Sequence, residues 1–358
     1  MLSESFVDPL VPSLIMSSTL KFLALLVVVL VILQSANAAP ANGHRGHKHN
    51  RTSSKKKFST KATTTVKTGE HPTQELPEGT PQAHGLATNW TKPAVNRNAI
   101  WNNGVSVSNA ELQTLQNFAR LASTAYCSVG NENGPFNCGS YCDSFPGTTV
   151  VKTFKTSVTA TIGFVARNDV KKAIYVAFRG SANIQSFIQD AEFLQTNYPP
   201  VSGAKVHQGF LESHQEARDI VYNAVVDQMN KYQGYIIYVV GHSLGGALAI
   251  LQALDFNQRA GYDKSNMVVY TYGEPRVGNP AFSSYADSLS LKYYRTVNQN
   301  DIVSHLPPQS FGYEHHATEY WIEDIFGNTV ECAVNEDFTC SNSVVPFTSI
   351  AAHLLYWK

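Results

Sequence analysis

The sequence is poor in charge, since charged residues make up only 15% of its 358 residues. Lysine and arginine together number 27 and are balanced by 27 aspartates and glutamates. This balance conceals an asymmetry: residues 1–69 contain 9 basic and 2 acidic residues, which leaves the remainder with a formal charge of −7. Basic character is therefore confined to the leader of the chain, and we expect no nucleic-acid partner.

Long apolar runs are lacking as well. The stretch Leu20–Leu33 is interrupted only by Lys21 and is too short to span a hydrocarbon core, which requires roughly 20 apolar residues. A small-x-small cleavage pattern ends at Ala38, which is typical of a secretory signal over residues 1–38. Met16 is the more natural start, so residues 1–15 are interpreted as an upstream extension.

Residues 39–95 contain few aliphatic side chains and many Ser, Thr, Lys and His. Such a stretch cannot bury enough apolar surface to offset the entropy of ordering, so it should not fold alone. We interpret it as a basic propeptide that docks on the acidic body, with a solvated linker as the alternative. The rest, residues 96–358, is long enough for one α/β domain.

Motifs for cofactors are missing too. The sequence contains no phosphate-binding loop, no cluster of metal ligands with the usual spacing and no dinucleotide fingerprint. We therefore expect neither a cofactor nor a metal, and the chemistry must come from amino-acid side chains.

One motif of the nucleophile-elbow type is present. It has the form G-x-S-x-G, follows an apolar strand-like run and precedes a helix-like run. That context is required by a sharp turn that holds a serine in strained geometry with its hydroxyl exposed. The motif consists of Gly241, His242, Ser243, Leu244 and Gly245.

Over most of residues 96–358, strand-like runs alternate with helix-like runs. The strand-like runs are 150–154, 159–165, 173–178, 235–240, 267–272 and 293–297. The helix-like runs are 110–121, 210–232, 247–254 and 281–289. This alternation predicts an α/β fold with a mostly parallel sheet and helices on both faces. In such sheets, reactive groups collect beyond the carboxyl ends of the strands.

A reactive serine needs a base and an acid that orients the base, and in α/β-hydrolases both follow the serine along the chain. Asp301 comes just after a strand-like run and is the preferred acid, while Glu274 after the preceding run competes with it. Four histidines follow Asp301. They are His305, His315, His316 and His353.

Position along the chain distinguishes the four histidines as candidates for the base. His305 is too close to Asp301 in sequence to approach it from a separate loop. His315 and His316 precede a strand-like run and are interpreted as edge or turn residues. His353 belongs to a late segment that is free to fold back over the strand ends, so we predict that it is the base.

Taken together, six ordered stretches resemble the secreted filamentous-fungal lipases of the class 3 type. They are 175–181, 206–210, 241–247, 274–279, 300–303 and 345–348. The resemblance implies an α/β-hydrolase fold with a helical lid, and a triad of Ser243, Asp301 and His353. It also implies that Ser181 and the backbone N–H of Leu244 form the oxyanion hole.

The segment after Ser181 bears on the substrate class. Its apolar residues Ile184, Phe187 and Ile188 form one stripe of a short helix. The resemblance implies a lid that closes the site in water and opens at an oil surface, and the alternative is a helix packed on the core. Related feruloyl esterases have a more polar segment here, so the stripe favours lipid esters.

Five cysteines are compatible with an oxidising compartment. The resemblance implies disulfides between Cys332 and Cys340 and between Cys138 and Cys142. Cys127 is left without a partner.

Three functions are carried forward from the sequence. The first is a secreted, monomeric triacylglycerol lipase that acts at the lipid–water interface. The second is a feruloyl esterase or another esterase for soluble carboxylic esters on the same fold. The third is a secreted binding protein without catalysis.

Overall fold

The computed structural model describes residues 104–189, 192–344 and 349–357. The predicted signal peptide (1–38), the predicted propeptide (39–95) and the stretch 345–348 lie outside the described residues. Within the described ranges, no helix is both long enough and apolar enough to cross a bilayer.

The described chain forms eleven strands and six α-helices. The strands are β1 (Val105–Ser106), β2 (Thr148–Lys155), β3 (Ile162–Asn168), β4 (Ala173–Phe178), β5 (Gln195–Asn197), β6 (Lys205–His207), β7 (Ile236–His242), β8 (Met267–Tyr272), β9 (Lys292–Asn298), β10 (Glu319–Ile322) and β11 (Thr329–Cys332). The helices are α1 (Asn109–Thr124), α2 (Ile184–Gln189), α3 (Gln208–Lys231), α4 (Leu244–Ala260), α5 (Pro280–Ser288) and α6 (Ile350–Leu354).

Nine of the strands form one sheet in the order β1-β11-β10-β9-β8-β7-β4-β3-β2. The five central strands, from β10 to β4 in that order, run parallel. Antiparallel pairing is confined to the two flanks, where β3 and β2 follow β4 and where β11 and β1 follow β10. The parallel strands therefore all end at one edge of the sheet, which we call the carboxyl edge.

Alternation along each strand divides the core into two layers. In β4, Ile174 and Val176 pack with α3 and α4 on one face, and Tyr175 and Ala177 pack with α1 on the other. Helices thus cover both faces, as the sequence predicts. Helix α4 is apolar almost all round, as a helix between a sheet and another helix must be. Full burial of each aliphatic side chain contributes about 1.5–3 kcal/mol.

Of the six strand-like runs listed from the sequence, five agree with observed strands within two residues at each end, but β3 begins three residues later than expected. The reason is a turn that precedes it. Thr159 donates its N–H and its hydroxyl to Glu216, and Ala160 has a positive φ of 53°, so neither can continue a ladder. The strand begins only at Ile162.

Candidate active site

Ser243 occupies a strained corner between a strand and a helix. Strand β7 ends at His242, helix α4 begins at Leu244, and Ser243 between them has φ 61° and ψ −133°. Its N–H donates to the carbonyl of Tyr272 at 2.9 Å. A non-glycine residue in such a conformation costs about 1–3 kcal/mol, which the surrounding packing must offset.

Two glycines permit this corner. A Cβ on Gly241 would collide with the carbonyl of Gly245, and a Cβ on Gly245 would collide with the carbonyl of Phe178 in the neighbouring strand. Both obstacles are backbone atoms, which cannot move aside as a flexible side chain can. The glycine spacing therefore follows from the close approach of β4, β7 and the first turn of α4.

Asp301 and His353 are in direct contact although 52 residues separate them. Nδ1 of His353 lies 3.0 Å from Oδ1 and 2.9 Å from Oδ2 of Asp301, and both side chains are fully buried. The carboxylate also accepts the N–H of Val303 at 2.8 Å and the hydroxyl of Tyr356 at 2.7 Å. This contact fixes Nδ1 as the protonated nitrogen and leaves Nε2 with a lone pair.

The environment of Asp301 favours its ionised form. Burial by itself raises the pKa of the carboxyl, but the electrostatic attraction of the His353 ring and the hydrogen bonds from His353, Tyr356 and Val303 outweigh it and hold the pKa below its usual value. Asp301 is consequently an anion at neutral pH, and it is able to stabilise an imidazolium at His353.

The hydroxyl of Ser243 is buried, whereas the elbow motif predicted an exposed one. Ser243 has no exposed surface, and its Oγ has no hydrogen-bond partner among the described residues. Nε2 of His353 is buried and unpartnered in the same way. The backbone of Gly180 lies against Ser243, since a Cβ there would approach the serine Cβ to 2.9 Å. In this structure the serine is therefore closed off from water.

His242 joins the elbow to the segment that carries His353. Burial lowers the pKa of His242 to about 4, so its ring is neutral at pH 7. Nε2 lies 2.8 Å from the carbonyl oxygen of His353, which can only accept, so Nε2 carries the hydrogen. Nδ1 then accepts a hydrogen bond from the hydroxyl of Tyr126 at 2.8 Å. The rings of His242 and His353 are 4.5 Å apart.

The two predicted oxyanion donors follow adjacent strands. Phe178 near the end of β4 pairs with Gly241 of β7, so Ser181 and Leu244 leave the sheet at the same edge. Leu244 is the first residue of α4, and the N–H of a first helical residue has no partner within its helix. Ser181 is half-buried.

The competing acid and histidines have other partners. Oε1 of Glu274 lies 3.1 Å from Nε2 of His316, so this carboxylate is engaged away from His353. His315 donates to the carbonyl of Ser304 at 2.7 Å. His305 contacts the backbone oxygen of Asp301 at 2.6 Å. All three histidines are buried. His315 and His316 lie in the irregular segment before β10, which is compatible with the edge or turn position that we expected.

The predicted lid segment forms helix α2 with its apolar stripe turned inward. Ile184 is buried, Phe187 and Ile188 are half-buried, and the rings of Phe187 and Phe210 stack with centroids 6.5 Å apart. Asn183 caps the helix by accepting the N–H of Ser186. These contacts are compatible with a closed lid and with a helix packed on the core.

Both expected disulfides are present, between Cys138 and Cys142 and between Cys332 and Cys340, while Cys127 is an exposed free thiol. Among the described residues, the single cluster with metal-ligand spacing combines Glu319 with Cys332 and Cys340. Because these two sulfurs are bonded to each other, they cannot act as thiolate ligands.

Known proteins are similar to this chain in sequence and in fold. A family model described as lipase (class 3) matches residues 175–311. The lipase of Rhizomucor miehei is 41% identical over 288 residues, which cover 79% of this chain and 79% of that protein. The chain belongs to the class 3 lipase family. The lipase of Rhizopus niveus is 40% identical to this family member over 71% of the chain, but the match spans under two thirds (65%) of the Rhizopus protein.

Solved structures of lipases superpose on this family member. The lipase from Rhizopus microsporus var. chinensis has a TM-score of 0.68 at 41% identity, covering 79% of this chain and 94% of that one. A triacylglycerol lipase described as having a serine protease triad at its catalytic centre has a TM-score of 0.66 at 44% identity, covering 70% and 95%. The Rhizomucor miehei lipase–propeptide complex has a TM-score of 0.67 at 40% identity, covering 79% and 89%. These matches confirm the predicted α/β-hydrolase fold.

Proposed function

We propose that the protein is a triacylglycerol lipase that cleaves carboxylic esters at a lipid–water interface, with Ser243 as nucleophile, His353 as base and Asp301 as the orienting acid. The contact between Asp301 and His353 carries this proposal, because it presents Nε2 as a proton acceptor at the edge of the sheet where the elbow lies. Membership of the class 3 lipases and the strained conformation of Ser243 support it.

The chemistry follows from this protonation pattern. Nε2 of His353 takes the proton of the Ser243 hydroxyl as Oγ bonds to the ester carbonyl carbon, and the resulting imidazolium then protonates the departing alcohol. Water deprotonated by the same nitrogen attacks the acyl-enzyme, which releases the fatty acid and returns the proton to Ser243. Asp301 holds the ring and balances its positive charge in both steps.

The negative charge that develops on the carbonyl oxygen needs donors as well. We assign this role to the backbone N–H of Leu244 at the start of α4 and to Ser181 beyond β4. Loss of one oxyanion donor typically costs about 3–4 kcal/mol of transition-state stabilisation.

The closed state of the site supports action at an interface. Ser243 has no exposed surface, so a substrate can reach it only after a covering segment moves. Helix α2 is our candidate for that segment, since its apolar stripe is sheltered here and would gain lipid contact on opening.

A substrate panel tests this function. We expect hydrolysis of emulsified triolein, with a rate that rises sharply once the substrate exceeds its solubility, and much slower turnover of dissolved butyrate and ferulate esters. Faster turnover of the dissolved esters without an interfacial rise would establish the esterase alternative. No covalent labelling of Ser243 by a phosphonate ester in folded protein would leave only the binding-protein alternative.

Variants test the residue roles. Ser243→Ala and His353→Ala should each reduce kcat by at least about 10⁴-fold, and Asp301→Asn by about 10⁴-fold, because a wrong tautomer disables the base. Glu274→Gln is the matched control for the rejected acid and should retain most of the turnover. Near-full activity of His353→Ala would show that the base is wrongly assigned.

The functions of residues 1–95 are inferred from their amino-acid composition. We propose that residues 1–38 direct secretion and that residues 39–95 form a propeptide which docks on the acidic body. The propeptide complex of a related lipase supports this interpretation. Mass spectrometry of the protein from the culture medium should find neither segment on the mature chain, whereas an intact leader on the active enzyme would contradict the assignment.

A further inference from the structure

The hairpin between β10 and β11 presents two neighbouring apolar side chains to solvent. Ile325 is 82% exposed and Phe326 is 86% exposed. Single exposed apolar residues are common on protein surfaces, but an adjacent aliphatic and aromatic pair at the tip of a loop is typical of a contact site.

The tip is held in a defined conformation. Oδ1 of Asp324 accepts the N–H of Phe326 at 2.9 Å and the N–H of Asn328 at 3.2 Å. Oδ2 of the same carboxylate accepts the side-chain amide of Asn328 at 2.6 Å. These bonds close the turn from within, so Ile325 and Phe326 project from it instead of folding back into a core.

The tip lies at the carboxyl edge, beside the segment that carries His353. Strand β10 is parallel to β9 with Ile322 opposite Asn298, so the loop after Ile322 leaves the sheet where Asp301 does. Gly327 of the tip faces Trp357, because a Cβ there would lie 3.1 Å from the indole. The side-chain amide of Asn298 in turn donates to the carbonyl of Leu355 at 2.7 Å.

The segment that carries His353 adds further apolar surface, since Leu354 is 59% and Leu355 is 39% exposed. Together these side chains form a set that we call the apolar rim. Its members are Ile325, Phe326, Leu354 and Leu355.

Charge indicates which kind of surface the rim fits. The loop residues Glu323 and Asp324 are acidic, and residues 323–328 contain no lysine or arginine. Anionic head groups would repel this hairpin, whereas a neutral lipid surface offers acyl chains to the rim without that cost.

We propose that the apolar rim inserts into neutral lipid and anchors the protein with its carboxyl edge against the substrate, independently of the movement of α2. This inference rests on the proposed lipase function and deepens it. The rim lies at the carboxyl edge, where the elbow also lies, so insertion of the rim brings Ser243 towards the lipid phase.

Binding and catalysis can be measured separately. In a Ser243→Ala background, Ile325→Ser/Phe326→Ser should weaken binding to triolein emulsions and phosphatidylcholine vesicles at least tenfold in co-sedimentation. With Ser243 intact, the same double variant should keep its kcat/KM on a dissolved butyrate ester within twofold. Binding by the parent to phosphatidylserine vesicles should be weaker than to phosphatidylcholine.

A matched control exists for the double variant. Val170 and Phe338 are 78% and 76% exposed, comparable with the rim residues. Val170 precedes β4 and so lies at the opposite edge of the sheet, and Phe338 lies outside the hairpin, beyond the end of β11 that pairs with the start of β10. Val170→Ser/Phe338→Ser should leave lipid binding unchanged.

Several results would overturn the proposal. They are unchanged lipid binding by the rim variant, equal loss of binding by the control variant, and a parallel loss of turnover on the dissolved ester. Conversion of a parent dimer to a monomer by the rim variant in light scattering would assign the rim to a second copy instead. The binding arm uses protein without the Ser243 hydroxyl, so failure of the proposed catalysis would be seen only in the activity arm.

Discussion

The side chain of His242 forms hydrogen bonds with two distant parts of the chain. Its Nε2 holds the backbone of His353, and its Nδ1 accepts from Tyr126, which belongs to a distant part of the chain. The hydroxyl of Tyr126 also lies against Gly180, directly before Ser181. The ring of His242 thus connects the elbow with His353, the proposed base, and, through Tyr126, with the segment of Ser181.

Removal of the Tyr126 hydroxyl tests this connection. Tyr126→Phe leaves Nδ1 of the half-buried His242 without this donor, so we expect the free energy of unfolding to fall by about 0.5–1.5 kcal/mol. Turnover should fall several-fold, because the carbonyl of His353 is then held less firmly. Denaturant unfolding and kcat on a dissolved ester measure the two effects.

Tyr141→Phe is the control for that change. Tyr141 is 52% exposed, and its hydroxyl makes no hydrogen bond with the described residues, so both quantities should stay at the parental level. Equal values for Tyr126→Phe and the parent would mean that the hydroxyl does not position His242.

Sequence reasoning found the residues of the site unevenly. Ser243 and Asp301 follow strand-like runs and could be selected from local pattern. Tyr126 and Tyr356 could not, because their hydroxyls reach His242 and Asp301 only through tertiary packing. The burial of Ser243 could not be predicted either, since it depends on how distant segments close over the elbow.

The elbow depends on how closely two secondary-structure elements approach. In Gly245→Ala the new methyl group would meet the backbone of Phe178, and we expect a loss of about 2–4 kcal/mol in the free energy of unfolding. Urea unfolding measures it. The control Gly209→Ala lies in the first turn of α3, where the glycine is half-buried and a Cβ meets only the ring of His207 at 3.4 Å, so its stability should change by less than about 1 kcal/mol.

Helix α2 is the element whose movement we propose. Phe187→Ser removes the ring that stacks on Phe210 and lowers the cost of exposing the inner face in water. We expect faster hydrolysis of a dissolved ester and a smaller rise in rate when substrate passes its solubility limit. Gln185→Ser, on the exposed side of the same helix, should change neither, and an unaltered interfacial rise in Phe187→Ser would argue against a lid.

At the level of elements, contiguous strand-like runs predicted four of the five parallel strands, namely β4, β7, β8 and β9. The hairpin of β10 and β11 was represented only by a strand-like run after His316. Its strands are four residues each, too short for a period to be recognised, and pairing across the turn fixes them instead.

For the whole molecule, burial of histidines makes stability depend on pH. Burial lowers the pKa of His207, His242 and His305 to about 4, that of His214 to about 3, and that of His315 well below its usual value. Below about pH 6.5 the histidines of the unfolded chain take up protons that those of the folded chain do not. The stabilisation that these histidines contribute is therefore fully present above this pH and is lost as the pH falls.

We therefore expect the free energy of unfolding to fall by about 3 kcal/mol or more between pH 7.5 and 5.5, since each such group contributes up to about 1.4 kcal/mol per pH unit. Guanidinium unfolding at several pH values measures the slope. His214→Gln should reduce the fall by about 1 kcal/mol, because one of these groups is then absent. A stability that is flat or rises over this range would contradict the prediction.

The pairing of His353 with a carboxylate 52 residues earlier has a further consequence for how the protein is made. A ribosome that has released the chain through Asp301 has already supplied Ser243, its elbow and the carboxylate, but not His353. With His353 as the proposed base, esterase activity arises only after the α6 segment has emerged and docked beside Asp301.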